Sequence, residues 1–276
     1  MSHYMEFLNN KIKEVKEYWT WSEVEKLLDL EEAEQRLLCF LWTYSKEYGR
    51  ELTQDEFFKF YQELKVEEPA ELPIWVYEME GQVVLSPVVR SWLDGEVPKL
   101  PKGAEFYLTM QEKAYDLDTV FADMQEIFKS FEMSADKAVI CIEGETGSGR
   151  TFCMKQICAR QDLTLLVLDA DEFAGTEREL NACMLCAKLY DAFVCVKLGK
   201  EVREKLLTQL SDCFRVFGLI KDEKRELTES LDVMLYTRKL MRPARTLKTV
   251  IAREMLGEWI GKLSIRRRFV LAREGS

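Results

Sequence analysis

The sequence predicts an α/β protein, a doubly wound parallel sheet preceded by a mainly helical domain. Three observations carry that prediction. From residue 138 onward, short continuous apolar runs alternate with helical stretches over short connections, the pattern of a parallel sheet covered on both faces. A glycine-spaced octet follows the first of these runs and opens a helix. Ahead of them, residues 1–95 read as short helices and then two strands joined by a tight turn.

A chain of 276 residues is long enough for two modest domains. The expected division is a helical domain over 1–95, a linker over 96–114 containing Pro98 and Pro101, and the α/β domain over 115–276. At 47% hydrophobic and 32% charged residues the composition is that of a globular protein rather than a disordered or fibrous one. No apolar run approaches the roughly 18 residues that a membrane span needs. Glu6, Lys11, Lys13, Glu14 and Lys16 interrupt the apolar centre that a secretory signal would require, so a cytoplasmic protein is expected. Charge is uneven: residues 1–135 carry 28 acidic and 14 basic side chains, a balance of −14, whereas residues 136–276 carry +4. A front half of that sign is repelled by a nucleic-acid backbone, while the back half tolerates polyphosphate.

Two further residue types narrow the chemistry. The single histidine, His3, lies near the terminus, which closes serine–histidine and cysteine–histidine catalysis unless it reaches a distant pocket. Of eight cysteines, only Cys183 and Cys186 have metal-ligand spacing, and no second pair or histidine completes a four-ligand zinc set. The expectation is that both thiols face the core from a helix.

In the first domain, Ser22 with Glu25 fits a capping box for a helix through Leu28. Leu37, Leu38, Leu41, Trp42 and Tyr44 recur at helical spacing, and Gly49 can end that helix. Thr53 and Glu56 open another helix with Phe57, Phe60, Tyr61 and Leu64 as its inner stripe. Residues 75–77 and 83–85 predict a hairpin around Glu80, Gly81 and Gln82, and residues 88–93 add a helical turn before Gly95. Helices followed by a two-stranded wing make a winged-helix-like unit. Its candidate recognition helix sets Asp55, Glu56 and Glu63 against Lys59 and Lys65, so it lacks the cationic face that DNA reading needs. Protein contact or packing is the expected role, and DNA binding ranks last.

After the linker, residues 118–131 predict an amphipathic helix with Val120, Phe121, Met124, Ile127, Phe128 and Phe131 on its apolar side. Buried strands are expected over 138–142, 163–168, 192–198 and 214–220, with a fifth over 233–236. Helices are expected over 149–160, 177–190, 201–210 and 244–260.

The octet Gly144, Glu145, Thr146, Gly147, Ser148, Gly149, Arg150, Thr151 has the P-loop (Walker A) spacing, with arginine where lysine is usual. Each residue type has a physical reason. Glycines let the backbone take positive φ and turn its amides inward as an anion nest, and the following helix aims its positive end at the same point. Arg150 can reach the outer phosphates of ATP or ADP, and the Thr151 hydroxyl can join the coordination of Mg²⁺. Because guanidinium is planar and broad, it cannot reproduce a lysine's placement of the terminal phosphate. The bland alternative is a glycine-rich strand-to-helix turn that binds nothing. Hydrolysis also needs a carboxylate at the end of a neighbouring strand. The third strand offers none before Glu201, and Lys197 places a cation where the metal partner would sit. Asp169, Asp171 and Glu172, after the second strand, are the alternative source, with Asp169 the candidate metal ligand beside Thr151.

On these residues the chain resembles the AAA+ ATPase superfamily, specifically divergent bacterial AAA modules preceded by a winged-helix-like region. Residues 141–151, 165–169, 192–198 and 233–236, with Leu240 and Pro243, carry the likeness, which spans roughly residues 115–260. The resemblance implies an ATP-binding module, a fold of the P-loop type, and association with another AAA subunit or protein partner. Three departures argue against efficient hydrolysis: Arg150, the absent acids of the third strand, and Ile220-Lys221-Asp222 in place of a polar amide after the fourth. The fifteen residues after Gly261, among them Arg266, Arg267 and Arg268, are too few for the helical lid such modules carry, so the chain is expected to be one half of a longer or split protein. Three functions follow for test: a weakly hydrolysing nucleotide-binding regulatory or assembly subunit, an interaction scaffold with a vestigial site, and an active ATPase using Asp169 or Asp171.

Overall fold

The computed structural model describes residues 3–64, 72–108, 137–199, 204–222 and 234–240. The first part contains helices α1 (His3–Val15), α2 (Trp19–Leu28) and α3 (Glu32–Tyr48), strand β1 (Leu52–Thr53) and helix α4 (Gln54–Glu63). Strands β2 (Val76–Met79) and β3 (Gln82–Leu85) follow, then α5 (Pro87–Leu93). The second part contains β4 (Ala104–Tyr107), β5 (Ala138–Gly144), α6 (Arg150–Arg160), β6 (Thr164–Asp169) and α7 (Glu177–Tyr190). It continues with β7 (Ala192–Lys197), α8 (Glu204–Cys213), β8 (Val216–Lys221) and β9 (Met234–Leu240).

Local sequence explains most of these boundaries. Gly49 ends α3 at φ 64°, a left-handed conformation that costs glycine nothing. The Thr53 hydroxyl accepts from the Glu56 amide while the Glu56 carboxylate accepts from the Thr53 amide, closing the capping box that starts α4. Thr176 and Glu179 do the same for α7. Glu80 and Gly81 both take positive φ in the β2–β3 turn, which matches the twist of a two-residue hairpin. β1 pairs with β3 and completes a three-stranded antiparallel sheet in the order β1-β3-β2.

Several expectations need correction. α2 starts at Trp19 with Tyr18 at its N-cap, so Ser22 lies inside the helix rather than capping it. Burial of Trp21 and Val24, and a hydrogen bond from the Trp21 indole to Glu25, favour helix on both sides of the serine. α1 begins ahead of every helix expected from the sequence. Part of the expected linker is strand β4, paired antiparallel with β6. Its entry is fixed by Gly103 at φ 78°, whose carbonyl accepts from the Asp169 amide at 2.7 Å. The expected helices over 118–131 and 244–260, and the basic run 266–268, lie outside the described residues.

The second sheet has the order β4-β6-β7-β8-β5-β9, with five strands parallel and β4 antiparallel at one edge. It is an α/β architecture, and its helices cover both faces. On one face Ala138, Ile140, Ile142, Leu165, Val167 and Cys195 meet Cys153, Met154 and Ile157 of α6. On the other, Val139, Leu166, Val194, Val196 and Leu219 meet Leu180, Cys186 and Leu189 of α7 and Leu206 and Leu210 of α8. Cys183 and Cys186 are fully buried there, facing the core as expected.

The helical part shares this second core. Trp92 of α5 stands edge-on to Tyr190 of α7 with ring centroids 4.9 Å apart, and the Tyr190 hydroxyl donates to the Glu96 carbonyl at 3.1 Å. Phe106 of β4 meets the same tyrosine ring at 5.4 Å. Arg178, in the first turn of α7, lies over the Tyr77 ring of the hairpin at 4.9 Å. Helix α7 is therefore the wall shared by the two parts.

Candidate functional site

Strand order decides where a ligand can enter. From β5 the chain crosses to β6, returns strand by strand to β8, and then passes β5 to reach β9. Such a reversal beside one strand opens a crevice at the carboxyl ends of the parallel strands. Residues 144–151 sit at that point, between the end of β5 and the start of α6.

The octet is wound, not extended. Gly147 and Gly149 take φ of 82° and 87°, and the Ser148 amide donates to the Glu145 carbonyl at 3.0 Å. Gly149 is the N-cap of α6, and its carbonyl receives the Cys153 amide at 2.8 Å. No side chain caps this end. Thr146 and Gly147 are exposed, Arg150 and Thr151 half-buried. Ser148 is 9% exposed, and its hydroxyl oxygen is buried with no hydrogen-bond partner. A buried hydroxyl without a partner is costly. In a chain of this composition nothing local singles Ser148 out; its burial comes from the loop's winding.

The acids around the loop are spoken for. Glu143, next to the end of β5, lies opposite Lys221 of β8, and their side chains, 18% and 8% exposed, form an ion pair at 2.7 Å. Sequence reasoning did not connect these two, because the pairing depends on β8 being the neighbour of β5. Asp169 ends β6 opposite Lys197 of β7 and is paired with it at 2.8 Å. Partial burial pushes the Asp169 carboxyl up, but the Lys197 ammonium and the Asp171 amide outweigh it and hold it below its ordinary value. The same carboxylate raises the Lys197 pKa. Asp171 packs over Gly199 so closely that a Cβ there would fall 1.8 Å from its Oδ1.

Asp169 and the loop that carries Thr151 end different strands of the sheet. β7 and β8 separate β6 from β5. Three strand spacings are roughly 14 Å. Among the described residues no group of three or more acids, cysteines or histidines could hold a metal ion.

No family model and no curated protein matches this chain. Among solved structures it is similar to one described as the structural basis for katanin self-assembly, at 18% identity and a TM-score of 0.31. That match covers 43% of this chain and 48% of that one, so the chain spans under half of its length. No helix among the described residues is long and apolar enough to cross a membrane.

Proposed function

We propose that residues 144–151 form a P-loop that binds the phosphates of ATP or ADP, in an AAA-like module with weak or no hydrolysis that acts as a regulatory or assembly subunit. The observation that supports it best is the wound octet at the sheet's reversal point. Two left-handed glycines precede an uncapped helix start, and the buried Ser148 hydroxyl lacks a partner. Backbone amides, helix dipole and the Arg150 guanidinium would together receive a polyanion. Weak hydrolysis follows from the neighbouring strands. β7 ends in Lys197 where a carboxylate would be needed, and Glu143 and Asp169 are held by lysines. On this reading the helical part and its β1-β3-β2 sheet are a winged-helix-like unit that contacts protein, since α4 carries Asp55, Glu56 and Glu63.

Titration of the full chain with a fluorescent ATP analogue tests the reading. Saturable binding is expected, lost in Gly149→Val and weakened at least about tenfold in Arg150→Ala. Absence of binding at high micromolar ligand would reject it.

A further inference from the structure

The resemblance to AAA+ modules implies Mg²⁺ beside the nucleotide, and the donor set here does not suit it. A hydrated Mg²⁺ in such a site is held by a hydroxyl and by one or two carboxylates at the carboxyl edge of the sheet. This edge retains the hydroxyl of Thr151, but its strand-end carboxylates are neutralised in place. Glu143 is bound to Lys221 at 2.7 Å and Asp169 to Lys197 at 2.8 Å, each pair bridging adjacent parallel strands in register. The strand between P-loop and edge, β8, ends in a lysine, and so does β7. Lys239 occupies the register position opposite Glu143 on the other side. Lysines thus end both β7 and β8, where a metal would require acids.

We infer that this site takes its nucleotide as the metal-free polyphosphate anion, received by the loop amides and the Arg150 guanidinium while the strand-end carboxylates Glu143 and Asp169 are tied up by lysines. The inference rests on the nucleotide reading above. Its physical content is a matter of charge. A metal-free triphosphate carries more negative charge than its Mg²⁺ complex, so it gains more from fixed cations and loses more near a bare carboxylate. Lys221 prevents that loss by cancelling Glu143 immediately before the loop.

The test compares the full chain's affinity for the fluorescent ATP analogue in excess Mg²⁺ and in excess EDTA. Equal affinity within about threefold, or tighter binding in EDTA, is the expected result. Binding tighter by about tenfold or more with Mg²⁺ overturns the inference while leaving the nucleotide reading intact. No binding in either condition overturns both. Lys221→Gln supplies an internal control: it bares the Glu143 carboxylate, so affinity in EDTA should fall and Mg²⁺ should restore it. Glu143→Gln combined with Lys221→Gln removes both charges, and indifference to Mg²⁺ should return. A double variant that still requires Mg²⁺ counts against the inference, even if the single variant fails to fold.

Discussion

Removing the Lys221 ammonium while keeping Glu143 tests the electrostatics of the sheet's carboxyl edge most directly. The two groups are 2.7 Å apart, with side chains 8% and 18% exposed, so the carboxylate left by Lys221→Met is largely shielded from water. Breaking a buried pair by deleting one partner costs roughly 3–5 kcal/mol, because an uncompensated charge is left behind. The residual exposure of Glu143 favours the lower end, about 3 kcal/mol. For a chain of this size each kcal/mol moves the melting midpoint by roughly 2–4 °C, so a fall of about 6–12 °C is expected. Adding Glu143→Gln removes the stranded charge and should recover most of that loss, since replacing both members of a buried pair is often close to neutral. Thermal melts of wild type and the two variants, followed by circular dichroism, measure this. If Lys221→Met melts within about 3 °C of wild type, the pair is solvated and the reasoning fails. If the double variant is no better than the single, Lys221 stabilises through its other contacts.

Other outcomes follow from the same structure. Gly103→Val should cost at least about 2–3 kcal/mol in urea melts, because φ is 78° and a Cβ would lie 2.5 Å from the Phe173 amide nitrogen; an unchanged midpoint would mean that β4 is not anchored there. Tyr190→Ala should cost about 3 kcal/mol and split the urea transition in two, since its ring meets Trp92 and Phe106 and its hydroxyl reaches Glu96. Arg50 holds Glu56 at about 2, below its ordinary 4.5, so the stabilisation is complete above about 4.5 and lost as pH falls toward 2. Glu56→Gln should flatten the acid limb of stability in that window alone, and an unaltered limb would contradict the pairing.

Much of the fold was written locally. Gly49, the Thr53–Glu56 box and the turn at Glu80 and Gly81 each act within a few residues, and each marks its element in the structure. The apolar run from Ala138 to Ile142 likewise announces a strand covered on both faces. What escaped depends on distant partners. β4 has the prolines and lysines of a linker before it, and becomes a strand because β6, some sixty residues later, offers an edge. The Ser22 signal was overridden by burial of Trp21 and Val24. The same division holds at the candidate site. Glycine spacing exposed the loop, and Lys197 could be noticed as a misplaced cation. That Lys197 meets Asp169, and Lys221 meets Glu143, follows only from which strands are neighbours, and no local pattern encodes that order.

The shared wall at α7 has a practical corollary. Severing the gene near residue 95, where the helical part gives way to the prolines, would strip Trp92 and the Tyr77 hairpin from Tyr190 and Arg178. Each fragment would then present to solvent an apolar flank that evolved to be hidden, so the two halves belong in one expression vector or must be produced together.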